Sequence, residues 1–350
     1  MTRPPEKSAL LSHERARRSG PTMTDVALRA GVSQSTVSLV LNGSPGARLA
    51  DATRKRVREA ARELGYTLNR RAPRRGNEVD PAVIFMVDEL ASDPWMALAF
   101  DGAQKKAAEF GYTMCLAVTN DDSEAEAAIV DRFRQQNLVG VIYGTVLTRR
   151  VEPANAVMRH HTVLLNCYDA GRKLNSIIPG DLLGGRTATQ HLIEQGHRRI
   201  GFINGQQGLD ASRDRLKGYR QALSSNDIPF DTHLVKQGNW EPSSGYLLTQ
   251  ELLKLDPRPD AIFCANDLMA LGCYDALHEA GLRIPEDMAV IGFDDREVAK
   301  SMHPPLTTLV LPHFEMGEIA AEWVVDMNGG HNTKPAQLKV DCTLVPRLSA

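Results

Sequence analysis

Polar and aromatic side chains follow several short apolar runs of this 350-residue chain. Asn266 comes after AIFCA, Asp294 comes after VIGF, and Trp240 follows a further strand-like run. Amide, carboxylate and indole groups gathered at one place can bind a small ligand. Each of them also has a structural explanation, because polar residues after strands often form turns or cap helices. Asp267 in particular is expected to cap the helix LMALGCYDALHEAG.

No combination of residues has the spacing of a catalytic or metal site. His160 and His161 lack a partner at metal-ligand spacing, and GFINGQQG lacks the G-x-G-x-x-G pattern of a dinucleotide-binding loop. The five cysteines are odd in number and widely spaced, so we expect reduced thiols. The sequence therefore predicts no enzyme, no cofactor and no metal.

The charge of the chain is distributed unevenly. The formal net charge is −2, but residues 1–76 contain 16 Lys and Arg against 6 Asp and Glu. A basic head on an acidic body indicates that the head alone meets a polyanion. The first residues lack the apolar core of a signal peptide, and no apolar run is long enough to span a membrane. These features predict a cytoplasmic protein, with residues 1–21 as a disordered basic tail.

The basic head has the pattern of three short helices. Thr22 and Asp25 fit a capping box for a helix that begins at Met23. Gly31 ends that helix in a turn that needs a positive φ. Ser33 is placed to cap a second helix. A third helix is predicted from about residue 51 to residue 64, with apolar residues at 57, 60, 61 and 64 as its buried stripe.

The second helix has a polar outward face, and this suits a nucleic-acid surface. Its outward residues are Gln34, Ser35, Ser38 and Leu39. A helix fits the major groove of B-DNA, where its first turn presents side chains to base edges. The surrounding arginines would neutralise phosphates. A three-helix protein-interaction domain is the alternative, but capping, turn, polar face and charge together favour double-stranded DNA.

From residue 81 onward, short apolar runs alternate with amphipathic stretches. The strand-like runs are 82–87, 112–118, 138–144, 161–167, 199–205, 261–266 and 288–295, and the helical stretches are 96–110, 123–136, 184–195, 212–225, 243–254 and 268–281. This alternation predicts parallel sheets covered by helices. About 270 residues exceed one open sheet, so two α/β subdomains are expected. Ligands of such sheets bind beyond the carboxyl ends of the strands.

Several motifs, in order, resemble one known family. TDVALRAGVSQSTVSLVLN and ATRKRVREAARELGYTLN are similar to the DNA-binding domain of the LacI/GalR family, and HLIEQGHRRIGFINGQ, DRLKGYRQAL, GNWEPSSGY, RPDAIFCANDLMALG and GLRIPEDMAVIGFDD are similar to its core. The resemblance implies an all-α helix-turn-helix head, a hinge, and an α/β core like the periplasmic sugar-binding proteins. The implied divisions are a head at 22–66, a linker at 67–80 and a core at 81–350, with an N-subdomain of about 81–180 plus 312–340 and a C-subdomain of about 181–311 plus the C-terminal end.

The resemblance also implies site residues, position by position. For DNA these are Thr22, Ser33, Gln34, Ser35, Ser38, Leu39, Asn42, Thr53, Tyr66, Asn69 and Arg75. For a ligand between the two subdomains they are Asp93, Trp95, Asp181, Arg215, Trp240, Asn266 and Asp294. A tryptophan face would cover the apolar face of a sugar or base, and the polar groups would satisfy its hydroxyls.

The sequence departs from the family pattern in its linker, NRRAPRRGNEVDP. Pro73 stands where the family has an arginine, and Arg75 stands where it has a leucine that wedges into the minor groove. Proline inside a helix costs about 3 kcal/mol, and Gly76 would end a helix that began at Ala72. We therefore expect a mostly extended linker whose arginines lie along a narrow minor groove and bend DNA little.

These features together predict a homodimeric transcriptional regulator. Two heads would read a pseudo-palindromic operator, and a small-molecule effector, a sugar or related polyol, would control operator affinity. Repression is the favoured interpretation. The alternatives are an activator of the same architecture, or a sugar-binding or enzymatic protein with a vestigial head; the missing signal peptide and the missing catalytic residues count against the latter pair.

Overall fold

The structure is a computed structural model that describes residues 23–32, 34–41, 50–66, 81–330 and 334–350. The chain divides into two compact units. One contains the described residues 23–66, which we call the head. The other contains the sheets and most residues from 81 onward, which we call the core. The predicted tail, the linker with Arg75, and residues 42–49 lie outside the described residues.

The head consists of three helices around a small apolar core. They are α1 (Met23–Ala30), α2 (Gln34–Leu41) and α3 (Asp51–Leu64). Gly31 has the predicted positive φ, 63°, between α1 and α2. Val26, Val37 and Val57 are fully buried, one from each helix. The third helix has the predicted bounds, and it begins after Ala50, which makes no side-chain cap.

A six-stranded parallel sheet forms the first half of the core, the N-subdomain. Its order is β11-β5-β4-β3-β1-β2. The strands are β1 (Ala82–Val87), β2 (Thr113–Val118), β3 (Leu138–Val151), β4 (His161–Asp169), β5 (Asn175–Pro179) and β11 (Gln337–Val340). Its helices are α4 (Trp95–Glu109), α5 (Ser123–Phe133), α6 (Asn155–Met158) and α12 (His313–Asn328), with a 3-10 turn at Arg134–Gln136. Every residue of β1 is buried because helices cover both faces of the central strands.

A four-stranded parallel sheet forms the other half, the C-subdomain, in the order β7-β6-β8-β9. Its strands are β6 (Ile200–Asn204), β7 (Val235–Gln237), β8 (Ala261–Cys264) and β9 (Ala289–Ile291). Its helices are α7 (Asp181–Glu194), α8 (Asp210–Ser225), α9 (Pro242–Leu253), α10 (Asp267–Glu279) and α11 (Glu297–Ser301), with a 3-10 turn at Thr232–Leu234. Phe202 and Phe263 stack at its centre, 4.7 Å between ring centroids.

The chain passes between the subdomains at residues 179–181, 309–313 and 340–344. Two short antiparallel strands, β10 (Thr308–Leu309) and β12 (Leu344–Val345), lie at the last two crossings. The Gly180 N–H donates to the Val340 carbonyl at 2.7 Å, and the Val310 N–H donates to the Thr343 carbonyl at 2.8 Å. These backbone bonds hold the crossing segments beside one another.

Three helix pairs approach each other through glycine. A methyl group added at Gly185 of α7 would overlap the backbone of Arg215 in α8, and one at Gly218 of α8 would overlap the Leu182 carbonyl. The same reciprocal contact joins α9 to α10 through glycines 245 and 272, and α4 to α12 through glycines 102 and 317. The absence of a side chain therefore lets these helices touch backbone to backbone.

The predicted runs from 82 to 295 are confirmed as strands and helices, with ends shifted by a few residues. Two groups of elements were not predicted. One comprises the short strands β5, β10, β11 and β12, and the other comprises the helices α6, α11 and α12. The strands β10 and β12 have two residues each, which is too few for a readable period.

Candidate functional site

Arg215 of α8 is the centre of a buried ionic network. Its side chain is only 4% exposed. Its Nε–H donates to Asp181 Oδ1 at 2.8 Å, its Nη1 lies 3.8 Å from Asp294 Oδ1, and Nη1 also donates to the Ala265 carbonyl. The guanidinium carbon lies 3.6 Å from the centroid of the Phe293 ring. Arg215 therefore ties the start of α7 to the ends of β8 and β9.

Asp294 stands beyond the end of β9 with a positive φ of 120°. Burial raises the pKa of its carboxyl to about 7, although the positive charges of Arg215 and Arg296 oppose the increase. The left-handed backbone costs free energy for a residue with a Cβ, and such strain is common at binding sites. The carboxyl is therefore held between two arginines and titrates near neutral pH.

Arg296 connects this network to the N-subdomain. Its Nε–H donates to Asp294 Oδ2 at 3.4 Å, and its Nη2 forms a hydrogen bond to Asp93 Oδ1. The same guanidinium lies 4.8 Å from the Trp95 ring centroid. Burial raises the pKa of Asp93, and Arg296 opposes that shift. The ends of β1 and β9 therefore meet through one arginine.

Trp240 and Asn266 lie on the other side of Arg215. The Trp240 ring centroid is 5.5 Å from the guanidinium carbon, and the ring lies against the backbone of Gly205. The Asn266 side chain donates to the Trp240 carbonyl at 3.0 Å and accepts from the Met269 N–H at 2.8 Å. Among the described residues, nothing hydrogen-bonds to the buried Trp240 Nε1.

The predicted role of Asp267 as a helix cap is wrong. Asn266 caps α10, and Asp267 is its first residue, with no exposed surface. The Asp267 carboxylate accepts from the Thr308 hydroxyl at 2.6 Å and from the Arg296 N–H at 2.8 Å. Burial raises its pKa well above the usual value. Asp267 therefore holds a crossing segment in place. The local sequence does not predict this role, because the contacts are with residues distant in the chain.

His313 is the first residue of α12, immediately after a crossing segment. Its ring stacks on Trp95 with 5.5 Å between centroids, and it is 1% exposed. Neither ring nitrogen has a hydrogen-bond partner in the described part of the chain. Burial, assisted by the charge of Arg215, lowers the pKa of His313 to about 3, so the ring is neutral.

A second polar connection joins the subdomains away from Arg296. The Tyr168 hydroxyl, at the end of β4, donates to Asp210 Oδ2 at the start of α8, at 2.7 Å. Lys339 Nζ of β11 lies 3.9 Å from Asp214 Oδ2 on the same helix. These contacts also hold the two sheets together.

The structure brings together every ligand-site residue that the sequence predicts. Asp93, Trp95, Asp181, Arg215, Trp240, Asn266 and Asp294 are all joined, directly or through Arg296, in one network that we call the cleft. Sequence reasoning missed Arg296 and His313. Arg296 follows two aspartates at a strand end, which was an available signal. His313 offered none.

Fewer of the predicted DNA-contacting residues can be placed. Thr53 and Tyr66 are partly exposed, at the start and just beyond the end of α3. The Tyr66 N–H donates to the Ala61 carbonyl at 2.8 Å. The other predicted contacts are Thr22, Ser33, Asn42, Asn69, Arg75 and the side chains of Gln34, Ser35, Ser38 and Leu39, and these lie outside the described part. Their roles stay predictions.

Within the described residues, no three or more His, Cys, Asp or Glu side chains are grouped so that they could hold a metal ion. No helix in the same ranges is long and apolar enough to cross a membrane.

A three-helix head with a two-sheet core, whose strand ends converge on a polar cleft, defines a ligand-responsive DNA-binding regulator. Residues 22–69 match the family described as bacterial regulatory proteins, lacI family. Residues 189–350 match the periplasmic binding protein-like domain. The chain belongs to the LacI family of transcriptional regulators, and the fold class implied by the sequence motifs is confirmed.

Relatives of known role cover nearly the whole chain. The regulator CelR of Thermobifida fusca is 36% identical over 95% of this chain and 99% of its own. The ribose operon repressor of Escherichia coli is 32% identical over 94% of this chain and 99% of its own. A solved CelR–cellobiose complex has a TM-score of 0.65 at 34% identity, covering 94% of this chain and all of that one. A lac repressor dimer bound to operator has a TM-score of 0.65 at 28% identity, and the match covers 95% of this chain and 99% of the repressor chain.

Proposed function

We propose that this protein is a homodimeric repressor whose affinity for a pseudo-palindromic operator is controlled by a sugar bound in the cleft. The observation that carries the proposal is the network around Arg215 and Arg296, because it gathers hydrogen-bonding groups and two tryptophans from both sheets. Relatives support the same interpretation, since one was solved with cellobiose and others are named ribose operon repressors.

The chemistry of the cleft suits a polyhydroxylated ring. Trp240 is partly exposed and offers an apolar ring face that matches the C–H face of a sugar, while Trp95 packs against Arg296 and His313 beside it. Carboxylate, amide and guanidinium groups around them donate to and accept from hydroxyls. We assign the seven predicted cleft residues to effector binding, together with Arg296.

The head supplies the DNA-binding part of the proposal. Two copies related by a two-fold axis would place α2 in successive major grooves of an operator, with Gln34 and Ser35 facing base edges. The arginines of α3 are surface residues that suit phosphates, as Arg56, Arg58 and Arg62 are exposed. The lac repressor dimer bound to operator is a precedent for this arrangement.

Control would come from the angle between the subdomains. Arg296–Asp93 and Tyr168–Asp210 are contacts that exist only when the two sheets are close. A sugar that contacts both sheets stabilises that arrangement by its differential affinity for the two states, and by no more than that. The change in operator affinity is limited by that difference in free energy, and the operator changes the sugar affinity by the same coupling free energy.

The test uses the full-length protein and an operator selected from random duplexes. Fluorescence anisotropy measures operator affinity with cellobiose, ribose or another neutral sugar added. We expect one sugar to weaken operator binding at least tenfold, which corresponds to about 1.4 kcal/mol of coupling. Trp240→Ala should abolish that response but not operator binding, and Trp240→Phe, which keeps a flat ring, should retain most of it.

Four outcomes would contradict the proposal. A sugar that tightens operator binding would indicate a co-repressor, and one that leaves binding unchanged would remove sugar control. An unaltered response in Trp240→Ala would place the effector elsewhere. If no pseudo-palindromic duplex were selected, the proposal that two heads bind the operator with two-fold symmetry would be contradicted.

A further inference from the structure

Both arginines of the cleft already have carboxyl partners. Arg215 is paired with Asp181 and Asp294, and Arg296 is paired with Asp93 and Asp294. A charged ligand would have to break one of these pairs, and leaving a buried charge without its partner is strongly unfavourable. Among the described residues, the network therefore offers an incoming anion oriented dipoles but no arginine without a carboxyl partner.

Two buried polar groups beside this network have unmet hydrogen-bonding capacity. The Trp240 indole N–H can only donate. The neutral His313 ring carries one N–H donor and one lone pair, and neither is used by a described residue. Buried polar groups in proteins are nearly always hydrogen-bonded, and each exception requires an explanation such as a functional role or a bound water or ion.

Stability alone does not explain a histidine at position 313. The ring is 1% exposed and stacked on Trp95, so a phenylalanine would fill the same space without desolvating two nitrogens. Because His313 follows a crossing segment and contacts a cleft tryptophan, a ligand bonded to it would touch the point where the subdomains are joined. Packing alone therefore does not explain the imidazole at position 313.

We infer that the effector is an uncharged polyhydroxylated molecule and that His313 is a specificity-determining residue that exchanges a hydrogen bond with one of its hydroxyl groups. This inference rests on the proposed function, since it concerns the same cleft. A neutral imidazole is suited to a hydroxyl, because a hydroxyl both donates and accepts. An acidic or amino sugar would meet an imidazole that carries no charge and a set of arginines and aspartates already paired.

The experiment compares binding by full-length parent and variants at fixed pH, using calorimetry. The probes are cellobiose, ribose and glucose, each set against an acidic or phosphorylated counterpart: cellobionate, ribose 5-phosphate and glucose 6-phosphate. We expect a neutral sugar to bind and its charged counterpart to bind at least tenfold more weakly. His313→Phe, which keeps the stack on Trp95, should weaken the neutral sugar about tenfold, and His313→Gln, which keeps a donor and an acceptor, should recover part of that loss.

A matched control is available in the C-subdomain. His191 also has a buried ring nitrogen without a partner in the described residues, but it lies on α7 ten residues, about 15 Å along the helix, from Asp181. His191→Phe should leave sugar affinity unchanged. The melting temperature of His313→Phe without sugar should equal or exceed that of the parent, which separates a ligand contact from a structural one.

Each result decides the inference. His313→Phe that binds the neutral sugar as tightly as the parent would overturn the role of His313 while leaving sugar control intact. Preferential binding of a charged counterpart would overturn the uncharged effector. If none of the neutral sugars binds, both the inference and sugar control fail together, whereas operator selection would still report on the DNA-binding half of the proposed function.

Discussion

At the residue scale, Asp294 combines features that a single aspartate seldom has: a left-handed backbone, near-complete burial and two arginine partners. Burial disfavours the carboxylate more than the arginines favour it, so its pKa is raised to about 7. The folded protein therefore keeps a proton that the unfolded chain releases at much lower pH. This difference makes the stability of the folded protein depend on pH through Asp294.

Replacing Asp294 with Asn should alter how stability depends on pH. Between the usual pKa of 3.8 and about 7, the folded state binds more protons at this position than the unfolded state, so this carboxyl lowers the free energy of unfolding as pH rises. The parent should lose stability relative to Asp294→Asn from about pH 5 to about pH 7, by at most about 1.4 kcal/mol per pH unit. Urea unfolding across this range measures the difference.

Asp287→Asn is the control. The Asp287 pKa is lowered to about 2 by its bonds with Arg283, so its contribution is lost only when pH falls below the usual aspartate range. It should show no pH-dependent difference from the parent between about pH 5 and about pH 7. A flat Asp294→Asn profile over the same range would mean that the carboxyl is ionised throughout.

At the scale of elements, the three glycine-mediated helix pairs fix how each subdomain is packed. The pair α7–α8 matters most for the cleft, because Arg215 sits on α8 at the contact with Gly185. A small shift between these helices would move the guanidinium relative to Asp181 and Asp294. The position of the ionic network therefore depends on a residue without a side chain.

Gly185→Ala should destabilise the protein even though alanine is the better helix former. Alanine favours a helix interior by about 1 kcal/mol over glycine, but the added methyl would overlap the backbone of Arg215. Overpacking against backbone costs about 1–3 kcal/mol or more, so we expect a net loss in urea unfolding and weaker effector binding. Arg186→Ala, at the exposed next position of α7, should change neither. A more stable Gly185→Ala would show that α7 and α8 can separate freely.

The sequence predicted these elements to different degrees for physical reasons. The strand at 82–87 and the helix at 51–64 have long, clear apolar patterns, and both bounds were confirmed. The strand β10 has two residues and forms where the chain crosses between the subdomains, so no local periodicity could predict it. The same applies to the site. Asp294 and Asn266 were marked by their places at strand ends, whereas the contacts of Arg296 and His313 depend on the angle between two subdomains.

At the scale of the whole core, the two subdomains are held by contacts on separate sides of Arg215. The hydrogen bond from Tyr168 to Asp210 is the clearest, because it joins β4 directly to α8 and involves no predicted cleft residue. It stabilises the closed arrangement without occupying the cleft. Its strength therefore sets how much of the effector's binding free energy is spent on closing.

Tyr168→Phe should favour the open arrangement. Removing one hydrogen bond of about 1 kcal/mol lowers the closed population, so an effector that needs closure should bind about two- to fivefold more weakly. Small-angle scattering should show a larger radius of gyration without effector. Tyr246→Phe is the matched control, because its hydroxyl bonds to Glu279 within the C-subdomain. Equal effector affinity in parent and Tyr168→Phe would show that this contact carries no closing free energy.

The backbone-to-backbone helix pairs have a mechanical consequence. Helices that touch backbone to backbone at glycine resist sliding past each other. Three pairs therefore behave as rigid units: α4 with α12, α7 with α8, and α9 with α10. We therefore expect bending to be concentrated in the three crossing segments, through changes in a few backbone torsion angles. A ligand that binds between two rigid subdomains changes the angle at the crossing segments. Little of its binding free energy is then lost in rearrangements within each subdomain. Loosening the α7–α8 pair would therefore weaken effector binding, because the network around Arg215 would shift, and would also reduce the motion that reaches the crossing segments.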